Sequence, residues 1–191
     1  MPEEVARALS IRGILPVPDG GSCLLAGFPG LATTVQGAGY IDAGIRAAVL
    51  DHLGGAPLWI ALPETGELPE GALDQLGAAL DRRGAELLHL PIPDFKAPDG
   101  DFMIRWAGLR DGLHDRLDQG GRLGITCQYG AGRSGLLACL LLIERGFAPE
   151  IALQMTRSAI PEAVESDVQQ DWLMDRRDAT LPRYGGTASD R

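Results

Sequence analysis

Cys127 and Arg133 stand six residues apart, and between them run Gln128-Tyr129-Gly130-Ala131-Gly132, with Ser134-Gly135 following. A short apolar strand signal, Leu123 to Ile125, leads into this loop, and an apolar run, Leu136 to Ile143, leaves it. Strand, glycine-rich loop and buried helix together describe an anion site. The first turn of a helix carries N–H groups without helical acceptors, and the helix dipole adds partial positive charge at the same point. Gly130 and Gly132 permit a tight path, so the stretch Gln128, Tyr129, Gly130, Ala131, Gly132 and Arg133 can close around one phosphoryl group. Arg133 opens the helix and offers a planar fork matched to two phosphoryl oxygens. Cys127 lies at the mouth of that field, where helix N-termini and guanidinium groups favour thiolate over thiol. A thiolate facing a phosphoryl group is a nucleophile, and the Ser134 hydroxyl can donate to the sulfur, steadying it on attack and on departure. This is the chemistry of covalent phosphoryl transfer. A lone cysteine is ordinarily a small buried hydrophobe, and a cysteine with an arginine six residues on arises readily by chance. The glycines, the Ser-Gly pair and the flanking elements give the pattern its specificity.

Attack by sulfur leaves negative charge on the departing oxygen, so the reaction needs a proton donor that can later take a proton from water. Asp94 is the candidate. It sits in Pro91-Ile92-Pro93-Asp94-Phe95-Lys96-Ala97-Pro98-Asp99, whose three prolines exclude helix and central strand and stiffen the loop. The plain alternative is a surface turn aspartate. Asp99 is the runner-up as acid, because capping of the following helix already accounts for it. Ser166-x-x-Gln169 matches a capping box, and the residues alone favour that use of Gln169 over placement of the hydrolytic water. Tyr129 could line the pocket wall or point to solvent. Glu162, Glu165 and Asp167 read as a solvated face. His52, His89 and His114 are scattered without metal-ligand spacing, and the mechanism requires no metal or other cofactor.

The elements that must position these groups alternate. Strand signals at Ser22–Ala26, Leu58–Leu62, Leu87–Leu90 and Leu123–Ile125 are separated by helical patterns. One pattern follows Asp42, with Ile45, Ala48, Val49 and Leu53 on one face and Gly54-Gly55 as its stop. A second runs to about Arg83 with Leu73, Leu76 and Leu80 inward. A third follows Asp99, with Phe102, Trp106, Leu109, Leu113 and Leu117 in one stripe, and two more open at Pro149 and after Ser166. The fold class expected is α/β, a central mostly parallel sheet flanked by helices on both faces, with ligands at the C-terminal ends of its strands. The Cys loop and the proline loop both leave such ends. The expected divisions are a lead over 1–20, one domain over 21–178 and a flexible tail over 179–191.

At 191 residues one domain can bury a sizeable core. With 17 basic and 26 acidic residues the net charge is −9, which argues against broad binding of nucleic acid or anionic membranes. Three unclustered cysteines fit a reduced compartment, and the first residues lack a secretory core, so a cytoplasmic location is expected.

Thr126-Cys127-Gln128-Tyr129-Gly130-Ala131-Gly132-Arg133-Ser134 resembles the signature loop of cysteine-based protein tyrosine and dual-specificity phosphatases. Gly27-Phe28-Pro29-Gly30, Gly66-Glu67-Leu68 and Pro91-Ile92-Pro93-Asp94 with Pro98-Asp99 look like stretches of the cyclin-dependent kinase-associated phosphatase group. Ala163-Val164-Glu165-Ser166 with Gln169 is similar to the segment after the core helices of small dual-specificity enzymes. The resemblance covers residues 20–178. It implies a phosphatase acting on phosphorylated proteins or peptides, with Cys127 as nucleophile, Arg133 binding phosphate, Asp94 as acid then base and Ser134 assisting breakdown of phosphocysteine; it also brings Gln169 forward as a water-positioning residue. The family usually has His where Thr126 stands and Arg-Pro-Gly where this chain has Ile160-Pro161-Glu162. A phosphate-binding module without turnover, a phosphatase for a non-protein ester and a sulfur-transfer or arsenate-reducing enzyme are the competing readings; the last would need a resolving thiol, for which Cys23 is the candidate.

Overall fold

The computed structural model describes residues 10–52 and 55–184. In chain order its elements are β1 (Ile11–Pro16), β2 (Ser22–Gly27), the short pair β3 (Leu31–Thr33) and β4 (Gly39–Ile41), α1 (Ala43–His52), β5 (Leu58–Ala61), α2 (Ala72–Asp81), β6 (Glu86–His89), α3 (Gly100–Asp118), β7 (Arg122–Cys127), α4 (Gly132–Glu144), α5 (Pro149–Ala159) and α6 (Asp167–Met174). Single 3-10 turns lie at Thr65–Glu67 and Pro182–Tyr184. The main sheet runs β1-β2-β7-β5-β6; β2, β7, β5 and β6 are parallel and β1 is an antiparallel edge.

Side chains alternate across a strand, and here both faces are covered, which is why the central strands read as continuous apolar runs. Cys23, Leu25, Leu58, Ile60, Leu123 and Ile125 face a core built with α3, α4, α5 and α6. Leu24, Ala26, Trp59 and Ala61 face a second core with α1 and α2. Gly124 makes room for that second core: a Cβ there would lie 2.2 Å from the Trp59 ring.

β7 lies mid-sheet between β2 and β5, so its C-terminal residue, Cys127, emerges near the centre of the molecule. Helix α4 then runs back through the core with every residue buried. Its charged end, Glu144, is 1 % exposed and is not left bare: Trp106 Nε1 donates to it at 2.8 Å and a ring nitrogen of His114 lies 2.9 Å away. Asp42, Asp99 and Ser166 accept the N–H groups of Ile45, Phe102 and Gln169, as helix starts require. Leu53 and Gly54, expected on the face and at the stop of α1, lie outside the described residues.

Three features depart from the expectation. Residues 11–16, assigned to a lead, form β1, paired with β2 from Ile11↔Ala26 to Pro16↔Ser22. Pro16 and Gly13 disguised it; a sheet edge tolerates proline, and Gly13 lies beside a register shift where a Cβ would come 2.9 Å from the Ala159 carbonyl. Part of the expected tail is packed: Leu181 is buried and donates its N–H to the Glu144 carbonyl at 2.8 Å, while Tyr184 bonds Asp118 and Arg145. Residues 1–9 of the lead and 185–191 of the tail lie outside the described residues. The β3–β4 pair was also unforeseen, three residues per strand being too short to carry a periodic signal.

Candidate active site

The loop after β7 is held from outside by its carbonyls, and its Gly130 amide is directed at the sulfur. Gly130 has φ +97, and a Cβ there would lie 2.2 Å from the Ala26 carbonyl carbon, so only glycine allows this approach to β2. The Gly130 N–H donates to Cys127 Sγ at 3.0 Å, and Cys127 is 2 % exposed. On the outer side Phe28 N–H donates to the Gln128 carbonyl at 3.2 Å and Arg12 Nε to the Tyr129 carbonyl at 2.8 Å. Gln128 and the half-exposed Tyr129 ring reach the rim, while Gly130, Ala131 and Gly132 are buried. Thr126 spends its hydroxyl on the Cys127 carbonyl at 3.2 Å.

Arg133 is 1 % exposed and its donors are nearly all accounted for. Nη1 donates to Glu67 Oε1 at 2.7 Å and to the Ile92 carbonyl at 2.9 Å. Nη2 donates to Glu67 Oε2 at 2.7 Å and lies 3.0 Å from Asp94 Oδ1. Nε has no partner among the described residues, nor does the buried Ser134 hydroxyl. An unsatisfied buried polar group costs about 1–3 kcal/mol, so both groups are suited to meet an oxyanion. Burial works against the Arg133 charge, but Glu67, Cys127 and Asp94 outweigh it and hold the guanidinium above its ordinary pKa.

Glu67, read in the sequence only within the Gly66-Glu67-Leu68 resemblance and given no role there, is the carboxylate that holds Arg133. Burial pushes its carboxyl up, but Arg133 and the Glu64 N–H pull it below the usual carboxylate range. Gly66-Glu67-Leu68 follows the parallel strand β5 at the same sheet end as Cys127, and that placement, with the resemblance of the stretch, was the available signal. Glu67→Gln keeps the shape and loses the paired charge, so the guanidinium fork is expected to loosen. The folded-state shift is downward, so the pair adds stability at neutral pH that is lost as pH falls through the depressed range. The melting-temperature gap between wild type and E67Q should therefore narrow in acid.

Asp94 is 40 % exposed and reaches the site from the loop after β6. The loop is tied down from α6. Phe95, next to Asp94, takes φ +55, and its carbonyl accepts from the Ser166 hydroxyl at 2.8 Å. Gln169 is buried; its Nε2 donates to the Lys96 carbonyl at 3.3 Å and its Oε1 accepts the Glu165 N–H at 3.2 Å. With both ends of its amide engaged, Gln169 serves in this conformation as a clasp on the acid loop. Asp99 caps α3. Glu165, read as part of a solvated face, remains exposed but lays its carboxylate over the loop, where a Cβ on Gly132 would come within 1.9 Å of Oε1. Desolvation there, then Asp94, pushes its carboxyl up. Glu162 and Asp167 are exposed as expected.

A recess of about 360 Å³ adjoins the loop, lined by Leu31, Thr33, Gly39, Glu67 and Gln128 among others. Cys23 and Cys139 are buried in the core, and burial pushes their thiols up to about 12 and about 11. Cys23 is therefore no resolving thiol. Among the described residues no group of three or more His, Cys, Asp or Glu is placed to hold a metal ion, and no helix is long and apolar enough to cross a membrane.

No family model matches the chain. It is 33 % identical over 84 residues to the probable protein tyrosine phosphatase type IVA B of Dictyostelium discoideum, a match spanning 44 % of this chain and 52 % of that relative, about half its length. The structure is similar to the crystal structure of Tk-PTP in the active form, with a TM-score of 0.61 and 26 % identity over 88 % of this chain and 97 % of that one. It is also similar in fold to kinase associated phosphatase carrying serine at its catalytic cysteine, with a TM-score of 0.71 and 22 % identity over 87 % of this chain and 93 % of that one.

Proposed function

We infer that the chain belongs to the cysteine-based protein tyrosine and dual-specificity phosphatases, and we propose that it hydrolyses phosphomonoesters through a phosphocysteine intermediate. One observation carries the proposal. A guanidinium locked by Glu67 and the Ile92 carbonyl keeps Nε unspent and interacts electrostatically with Cys127, whose sulfur already receives the Gly130 N–H, with a carboxylate 3.0 Å from the same guanidinium.

In the first step the Cys127 thiolate forms a bond to phosphorus as the ester P–O bond breaks, and Asp94 gives its proton to the departing oxygen. Charge on the equatorial phosphoryl oxygens is met by the amides of the loop and by Arg133, whose Nη2 is freed as Asp94 swings toward the leaving group. In the second step Asp94 takes a proton from water as the water oxygen bonds phosphorus and the P–S bond breaks. The Ser134 hydroxyl, buried and without a partner among the described residues, can donate to the departing sulfur. Gln169 serves this step indirectly, by holding the loop that carries Asp94.

The substrates proposed are phosphotyrosine and also phosphoserine and phosphothreonine in proteins or peptides, met in the cytoplasm, where a nucleophilic thiol stays reduced. The net charge of −9 opposes nucleic acid and anionic membrane as partners. The sequence offers the phosphate-binding module as the second reading; it would need neither the thiol nor Asp94. The test is turnover by the purified protein of p-nitrophenyl phosphate, phosphotyrosine and phosphoserine peptides, and an inositol phospholipid. Aryl and phosphopeptide turnover with a bell-shaped pH profile supports the proposal. Turnover confined to the lipid replaces the substrate class, and tight phosphate binding without turnover of any ester makes the chain a binder.

A further inference from the structure

The geometry points to Arg12, far from the loop in sequence, as a positioning residue that favours the Cys127 thiolate through the Tyr129–Gly130 peptide. The inference rests on the reading of Cys127 as the nucleophile. In a trans peptide the carbonyl and the N–H point in opposite directions. Here the Tyr129 carbonyl accepts from Arg12 Nε at 2.8 Å, and the N–H of the same peptide donates to Cys127 Sγ at 3.0 Å. A cationic donor on the oxygen polarises the whole peptide and strengthens donation from its nitrogen. Arg12 thus acts on the sulfur without touching it.

Arg12 is well anchored for this. Its guanidinium carbon lies 3.6 Å from the centroid of the Tyr129 ring, so the bonded residue also supplies a stacking surface. β1 is fixed beside the loop by the Gly27 N–H, which donates to the Ser10 carbonyl at 2.8 Å. A Cβ on Gly27 would meet Ser10 Cβ at 2.9 Å and the Gln128 and Tyr129 carbonyl oxygens at 3.1 Å, so β1, β2 and the loop meet at one crowded point. The other charged groups around Cys127 come from different elements. Arg133 comes from α4, Glu67 from the turn after β5 and Asp94 from the loop after β6, both on that guanidinium, and Glu165 from the segment before α6, over Gly132. None of them touches the Tyr129 carbonyl, so Arg12 can be altered separately.

The experiment measures iodoacetamide alkylation of Cys127 by peptide mass in wild type, Arg12→Met, Arg12→Gln and Arg12→Lys, together with the pH profile of kcat/KM. Cys23 and Cys139 are 0 % exposed, and peptide mass separates them from Cys127. At about pH 6, R12M is expected to react roughly fivefold more slowly than wild type, R12Q less so, and R12K close to wild type, because only a thiolate alkylates. At about pH 10, above the ordinary range of a free thiol, the four rates should converge. The acidic limb of kcat/KM should move to higher pH in the same order. Equal rates at the lower pH would overturn the inference, and so would a slowing in R12M that persists undiminished at the higher pH, which marks a merely structural effect. Should R12M not fold, R12Q against R12K reads the same quantity. A wild type that turns over no ester but alkylates in the expected order removes the phosphatase reading and leaves the role of Arg12. A wild type that hydrolyses esters while alkylation ignores Arg12 does the reverse.

Discussion

Cys127→Ser is expected to lower kcat for p-nitrophenyl phosphate on the order of 10⁴-fold or more while phosphate binding survives. The two halves follow from different atoms. Turnover needs an anion at the sulfur position, and a serine hydroxyl does not ionise near neutral pH. Binding needs Arg133, fixed by Glu67 and the Ile92 carbonyl, and loop amides whose carbonyls are pinned by Phe28 and Arg12; the substitution reaches none of these. The serine oxygen can still accept the Gly130 N–H, so the loop keeps its path. Removing a negative charge beside a bound dianion should, if anything, tighten phosphate, and calorimetry with inorganic phosphate reads this directly. Substantial turnover remaining in C127S would refute a sulfur nucleophile. Joint loss of turnover and binding would trace the effect to a collapsed loop rather than to chemistry.

The centre of the candidate site was legible because the proposed nucleophile, amide cradle and phosphate fork are contiguous with a helix start in one short stretch. Asp94 was legible because prolines confine it to the end of a strand. The helix starts were marked by Asp42, Asp99, Pro149 and Ser166, each acting within its own turn. What stayed hidden is what depends on which strands become neighbours. Glu67 meets Arg133 across 66 residues, Arg12 meets Tyr129 across 117, and the Gln169 amide meets the Lys96 carbonyl across 73. No local period encodes those pairings. They follow from β7 being threaded between β2 and β5, which gathers the loops after β5, β6 and β7 at one end of the sheet. β1 stayed hidden for a local reason, its proline and bulge, and with it went the strand that carries Arg12.

Asp94→Asn is expected to reduce kcat by about 10²–10⁴-fold and to tighten oxyanion binding at the same time. Asp94 Oδ1 lies 3.0 Å from Arg133 Nη2 on the side left after Glu67 and Ile92 have taken their donors. A phosphoryl oxygen must compete for that nitrogen, and at 40 % exposure Asp94 has room to swing away toward the leaving group. Asparagine fills the same volume without a charge to repel the dianion, which accounts for the gain in binding. It carries no proton to give, which accounts for the loss of turnover. The loss should be larger for alkyl esters than for p-nitrophenyl phosphate, whose leaving group departs as a stable anion with little protonation. Asp99→Asn is the control: asparagine caps a helix about as well as aspartate, so α3, turnover and melting temperature should be unchanged. Turnover intact in D94N but abolished in D99N would transfer the acid's role to Asp99. A D94N variant that loses turnover without binding oxyanion more tightly would mean that the ion pair with Arg133 does not compete with substrate.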